Sequence, residues 1–388
     1  MTVWDAGDPA LIAARLAEEF LARYDTPATC VGRAPGRVNL IGEHTDYNAG
    51  LVLPVALPHA TYAAVRLRED GVVRIASSQI EDPWTGHRDD LASSEVPGWV
   101  GYAAGVLTTL GEAVPADLGI DVVLDSTVPM GAGLSSSAAI ECAVGVASLA
   151  AAGRSVEADR DLLVAAAIRA ETEVVGAPTG GMDQTISVFG RPGEALLIDF
   201  RSGERRGVPA EIEGHCWLVT DTRVSHALTD GGYGSRRADC ERAAAALGVA
   251  TLREADLAAV EALDDDLARR RARHVVTEIA RVEVAATALR EHDLATLGAQ
   301  MAGSHASMRD DFEISCAELD TAVEAATAAG AVGARMTGGG FGGSSVALVP
   351  IDRRDTVIAA IDAAFAAAGY AAPRHLVATP SAGAAIVG

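Results

Sequence analysis

Between Arg37 and Asn48 the segment RVNLIGEHTDYN places Arg37, Asn39, Glu43, His44, Asp46, Tyr47 and Asn48 within twelve positions, beside apolar, strand-like neighbours. Carboxylates set among a histidine and amides suit a polyol, because every sugar hydroxyl both donates and accepts a hydrogen bond. Glu43, His44 and Asp46 are also metal-ligand types. Neighbours on an extended chain point apart, however, so the sugar is the better reading of the two.

Three other segments carry chemistry. MGAGLSSSAA, from Met130, is a glycine turn followed by three serines at the start of an apolar helix pattern. Free N–H groups at a helix start attract anions, and glycines let phosphate oxygens come close. The same serines suit a plain N-cap. TGGGFGG, from Thr337, has five glycines in six residues between two strand-like runs. It requires either unusual backbone angles or close approach by another group. GAPTGGMDQ sets Asp183 behind two glycines, which suits a helix cap or a general base.

The elements that hold these residues alternate between short strands and Ala-rich helices. The N-terminus reads as an amphipathic helix opening at Asp8-Pro9, with no signal-peptide pattern. GIDVVLDSTVP reads as a strand and IECAVGVASLAAAG as a buried helix closed by Gly153. A further helix is expected from Ser155 through Arg169, ending near Gly176 and Pro178. Residues 194–200 and 215–221 read as strands, and residues 236–309 as almost entirely helix. The last part reads strand, glycine loop, strand, helix, strand. The charged run 264–274 is expected to be a solvated helix face. This mixture points to an α+β chain with a boundary near residue 205, giving domains 1–205 and 206–388.

Composition removes many alternatives. The 388 residues include no lysine, so all 31 basic residues are arginine. That excludes a P-loop NTPase, a protein kinase and any enzyme that forms a Schiff base on its own lysine. A net charge of -22 disfavours nucleic acid and anionic membrane surfaces as partners. It also means that a phosphorylated ligand needs local positive field. Five scattered cysteines without C-x-x-C spacing fit a reducing, cytoplasmic setting. No run reaches 18 apolar residues, so no membrane span is expected.

Taken together, GRVNLIGEHTDYNAG, GAGLSSSAA, GGMDQ, YGSRRADCERA and MTGGGFGG resemble the GHMP small-molecule kinases, and within them the galactose-phosphorylating branch. These motifs run from residue 33 to 343. The resemblance implies an N-terminal domain like part of ribosomal protein S5 (domain 2) and a ferredoxin-like C-terminal domain, with the active site between them. It implies ATP-dependent phosphorylation of the C1 hydroxyl of α-D-galactose, with Mg²⁺ and no phosphate-loop lysine. Asp183 is then the catalytic base, and Arg37 sits beside it. Glu43, His44, Thr45, Asp46, Gly180 and Tyr233 are expected at the sugar, together with Arg37 and Asp183. Gly131, Ala132, Gly133, Leu134, Ser135, Ser136 and Ser137 would wrap the ATP phosphates. Ser137 (or its neighbour Ser136) and Glu171 would hold Mg²⁺. A kinase for N-acetylgalactosamine or L-arabinose, or a sugar sensor without catalysis, are the other readings. Four residues depart from the family pattern: Gly181, which suggests a looser base loop, and Arg335, Gly339 and Ser344. They are expected to be drift.

Overall fold

The computed structural model describes residues 3–91, 96, 98–115, 117–224 and 232–387. Helix α1 (Pro9–Tyr24) opens where the sequence places it: the Asp8 carboxylate caps the backbone N–H groups of Ala10 and Leu11, and Pro9 takes the first helical position. Its inner face, Ile12, Leu16 and Phe20, covers one side of a sheet.

That sheet contains β1 (Cys30–Asn39), β3 (Pro54–Arg68), β4 (Val72–Ser77), β5 (Ile80–His87) and β6 (Gly119–Ser126), while β2 (Leu51–Val52) lies outside it. Alternate residues of β3 divide between two cores. Ala60, Tyr62 and Ala64 meet α1. Ala63 and Val65 face the other way, toward α2 (Gly98–Thr109) and α3 (Ser136–Ala151). The period of two places an apolar layer on each side. It explains why β1 is buried along nearly its whole length, including Arg33, Arg37 and Asn39.

Gly153 follows α3 with φ +74°, as expected of a closing glycine. The next helix differs from its expected span. A turn over Ser155–Asp159 precedes α4 (Arg160–Arg169), which runs on into a π-helical turn, Ala170–Val175. Then come α5 (Met182–Phe189), β7 (Glu194–Asp199) and β8 (Arg205–Pro209). β7 and β8 pair with β2 in a three-stranded sheet.

The remaining chain comprises β9 (His215–Asp221), α6 (Gly232–Leu247), α7 (Leu257–Glu261), α8 (Asp266–Glu291), α9 (Leu294–Asp310), α10 (Ala317–Ala328), β10 (Gly333–Thr337), β11 (Ser344–Pro350), α11 (Arg354–Ala368), β12 (Arg374–Val377) and β13 (Ala385–Val387). A four-stranded antiparallel sheet, ordered β10-β11-β9-β12, separates two helical layers. On β11, Val346 and Leu348 pack toward α8 and α9, whereas Ala347 and Val349 pack toward α10 and α11.

Two features were not legible in the sequence. β13 returns to pair with β1, so the chain ends on its first sheet. The charged run on α8 is also not wholly solvated. Arg271 is buried, with its guanidinium bonded to Asp239 and Glu313, and His274 is fully enclosed.

Candidate active site

A cleft of about 790 Å³ brings the four motif segments together. Arg37 leaves β1 just after an irregularity in its pairing with β3. Asp183 is the second residue of α5, whose start at Gly181 has φ +95°. The Arg37 guanidinium grips the Asp183 carboxylate with two bonds, Nε to Oδ1 at 2.7 Å and Nη2 to Oδ2 at 2.9 Å. Its Nη1 donates to the carbonyl of Gly133 in the glycine turn. The Ser135 hydroxyl donates to Asp183 Oδ2. Ser135 therefore does not cap α3, and no other side chain among the described residues does. The positive end of a 16-residue helix thus faces the cleft.

The glycine turn is held in shape from outside. Gly131, Gly133 and Ser135 all have positive φ, a region that suits glycine and strains serine. The loop between β10 and β11 lies directly against it: a Cβ on Gly338 would come within 3.0 Å of the Gly133 carbonyl oxygen. Ser344, buried at the start of β11, donates to the Ala132 carbonyl at 2.7 Å. Ser344 is thus a structural tie rather than drift.

The sugar-type residues divide into two groups. Asp46 and Tyr233 line the cleft, and so do Glu43 and His44, which are also tied into its wall. Gly180 lies so near Asp46 that a Cβ there would meet its carboxylate at 2.1 Å. Burial, with the Asp183 charge adding to it, pushes Asp46 up to about 6. The other residues mainly build the wall. His44 reaches the Tyr47 hydroxyl through Nδ1 at 2.7 Å and the Gly339 carbonyl through Nε2 at 3.1 Å. Because that carbonyl can only accept, the hydrogen sits on Nε2 and the Tyr47 hydroxyl donates to Nδ1. Burial lowers the His44 pKa to about 3, which keeps the ring neutral. The Thr45 hydroxyl is enclosed between the carbonyls of Gly42 and Leu51. Glu43 turns its carboxylate away, toward Arg335, Thr337 and Gly338. Arg335, expected to be drift, is therefore a working part of the wall, whereas Gly339 contributes only its backbone carbonyl and has room for a Cβ, which fits drift. Glu43, His44 and Asp46 do not converge on one point, and no cluster of three or more metal-ligand side chains occurs among the described residues.

The base loop is also not slack. Ile168 lies 2.7 Å from where a Gly181 Cβ would be, and the positive φ requires glycine. Glu171 sits in the π-helical turn and lines the cleft together with Ser137. Burial, with the Asp183 charge adding to it, raises the Glu171 pKa to about 7. A hydroxyl and a carboxylate next to the open N–H groups at the start of α3 form an all-oxygen donor set, the kind Mg²⁺ takes when phosphates complete its shell.

A further stretch of the wall had no counterpart in the sequence motifs. Trp99, Tyr102, Ile80, Ile140 and Val175 give it an apolar surface. Glu141 and Gln184, both fully buried, meet behind Glu171. A lone Glu inside the apolar helix run was the available signal for the first of them.

Comparison with known proteins places the chain in a family. The galactokinase galactose-binding signature matches residues 18–67, the GHMP kinase N-terminal domain residues 101–191, and the GHMP kinase C-terminal domain residues 285–368. The chain is 50% identical to a galactokinase of Streptomyces coelicolor, covering 96% of this chain and 98% of that one. It is 45% identical to a galactokinase of Mycobacterium tuberculosis, covering 88% and 94%. The fold superposes on that of Lactococcus lactis galactokinase complexed with galactose, with a TM-score of 0.89, 30% identity, and 96% and 99% coverage. A mevalonate kinase shares the fold at a TM-score of 0.65 and 15% identity.

Proposed function

The chain belongs to the galactokinase family of GHMP kinases, and from that premise we propose how its cleft moves the terminal phosphoryl group of ATP to the C1 hydroxyl of α-D-galactose. The observation that carries the mechanism is the two-bond grip of Arg37 on Asp183 at the foot of the uncapped α3. The cleft is read as opening between a unit of residues 1–205 and one of residues 206–388.

Asp183 is the base. An ordinary Asp, with pKa near 3.9, is far too weak to deprotonate a sugar hydroxyl in advance. Phosphoryl transfer has a loose transition state, so the hydroxyl turns acidic only as its oxygen bonds to phosphorus. Asp183 then accepts the proton late. Arg37 and Ser135 fix the direction of its lone pairs, and Arg37 also sets positive charge beside the phosphoryl group in transfer. Asp46 and Tyr233 contact the sugar. His44, Glu43 and Thr45 shape the segment that carries Asp46, while Tyr233 comes from α6.

Backbone N–H groups from Gly131 to Ser137 hold the phosphates, and the apolar wall at Trp99 and Tyr102 takes the adenine. Ser137 and Glu171 would hold Mg²⁺. Bound there with the nucleotide, the ion would offset phosphate charge that this lysine-free chain otherwise meets only with arginine and a helix end. Five free cysteines support a cytoplasmic setting. No helix among the described residues is long and apolar enough to cross a membrane.

The test is ADP release with ATP, Mg²⁺ and a panel of sugars, for wild type and Asp183→Asn. Galactose-dependent turnover that disappears in the variant, while galactose still binds, is the expected result. Turnover with N-acetylgalactosamine or L-arabinose instead would overturn the sugar assignment. Galactose binding with no turnover in the wild type would identify a sensor.

A further inference from the structure

Behind Glu171, on the side away from the cleft, lies a polar group that the reaction does not account for. Glu141 is fully buried on α3, one helical turn beyond Ser137. Gln184, next to Asp183 on α5, is buried equally. The Gln184 amide nitrogen donates to Glu141 Oε2 at 3.1 Å and also to Glu171 Oε2. Both amide hydrogens are then used, one on each carboxylate.

Two atoms remain, Glu141 Oε1 and Gln184 Oε1, and both are buried with no partner. They belong to the two side chains already joined by the 3.1 Å bond, and both are acceptors when Glu141 is ionised. One proton removes both deficits. We infer that Glu141 is a neutral carboxylic acid whose Oε1–H donates to Gln184 Oε1, closing a two-bond acid–amide pair that fixes the Gln184 amide and, through it, the carboxylate of Glu171.

Burial and the nearby Glu171 charge push the Glu141 carboxyl the same way, well above the usual carboxylate range. Glu141 does not line the cleft, so it is a positioning residue. With one oxygen of Glu171 held from behind by Gln184, the carboxylate cannot rotate freely away from Ser137. This deepens the reading of Glu171 as the carboxylate on the Mg²⁺ side, and rests on it.

The experiment has two independent readouts on the full-length protein. Infrared difference spectra of wild type and Glu141→Gln report the protonated carboxyl C=O stretch. The band is expected in wild type and in Glu171→Gln, and lost in Glu141→Gln. Its absence from wild type would overturn the proposal. The second readout is Mn²⁺ affinity, by electron paramagnetic resonance, with a non-hydrolysable ATP analogue bound. Glu141→Gln can form the same pair and should keep wild-type affinity. Glu141→Leu fills the space without the bonds and should lose about 10–100-fold, the usual effect of removing a support behind a metal ligand. If Glu141→Gln falls as far as Glu141→Leu, or Glu141→Leu binds Mn²⁺ like wild type, the positioning role is wrong. Should Glu141→Leu fail to fold, Glu141→Gln and the infrared band still decide. Unchanged Mn²⁺ affinity in Glu171→Gln would instead remove Glu171 from the metal, and the positioning role with it, while the infrared band still judges the acid–amide pair.

Discussion

Arg335 and Glu43 lie 292 residues apart in the chain and form an ion pair closed to solvent. Around that pair, the Arg335 guanidinium also reaches the Asn39 carbonyl and the Ser304 hydroxyl, each at 3.1 Å. Glu43 Oε1 accepts from the Gly338 N–H at 3.0 Å and the Thr337 hydroxyl at 3.1 Å. The sugar-type segment and the glycine loop that braces the phosphate turn are therefore locked in one register. The shape of the cleft therefore depends on a buried ion pair between distant parts of the chain.

Arg335→Met should accordingly be costly. It leaves Glu43, and Glu278 whose carboxylate lies 3.4 Å from the same guanidinium, buried without that cation, a loss of about 3–5 kcal/mol for breaking such a pair. Urea unfolding measures it. Arg335→Lys keeps the charge but has fewer, differently placed donors, and should fall between wild type and Arg335→Met. A Met variant as stable as wild type would show the pair to be dispensable.

Gly180 has no positive φ, so its backbone accepts alanine; what forbids a side chain is the Asp46 carboxylate. Gly180→Ala should displace Asp46 and raise the galactose KM about tenfold, on the scale of a lost charged hydrogen bond. The ATP KM should stay close to wild type. Steady-state kinetics with each substrate varied in turn separates the two.

Trp99 gives the converse case. Trp99→Ala removes the largest ring of the apolar wall and should raise the ATP KM roughly tenfold, in line with the loss of an aromatic platform for one base. Galactose KM should not move. A change confined to galactose would place the base elsewhere.

A pH effect follows from His274. Its Nε2 faces the Glu43 carbonyl at 3.2 Å and its Nδ1 the Ser307 hydroxyl at 3.1 Å. Burial lowers its pKa from 6.5 to about 4. Between those values the unfolded chain binds the proton and the folded one does not, so acidification through that window costs stability. His274→Gln has no such proton to take up. Urea midpoints at pH 7.5 and pH 5 should drop further in wild type than in the variant, and parallel drops would count against the assignment.

The chemistry-bearing segments were legible because their requirements are local. A glycine turn before a helix start, or an Asp8 cap ahead of Pro9, is set by backbone angles and neighbouring side chains. Such requirements leave a mark within a few residues. The same holds for the alternation of β3 and for the closure of α3 at Gly153.

What the sequence alone determined was the α+β character and the segments that carry chemistry; the placing of Arg37 beside Asp183 came from the family resemblance. The tertiary structure decided which side each polar residue would face. Glu43 met Arg335, and Ser135 bonded Asp183 rather than capping α3. Arg271 turned inward from a charged run, and Glu141 found Gln184. Each of these choices joins residues between 32 and 292 positions apart. A buried charge or hydroxyl must find a partner wherever packing brings one within reach. That partner is fixed by the meeting of sheets and helices, which no local spacing encodes.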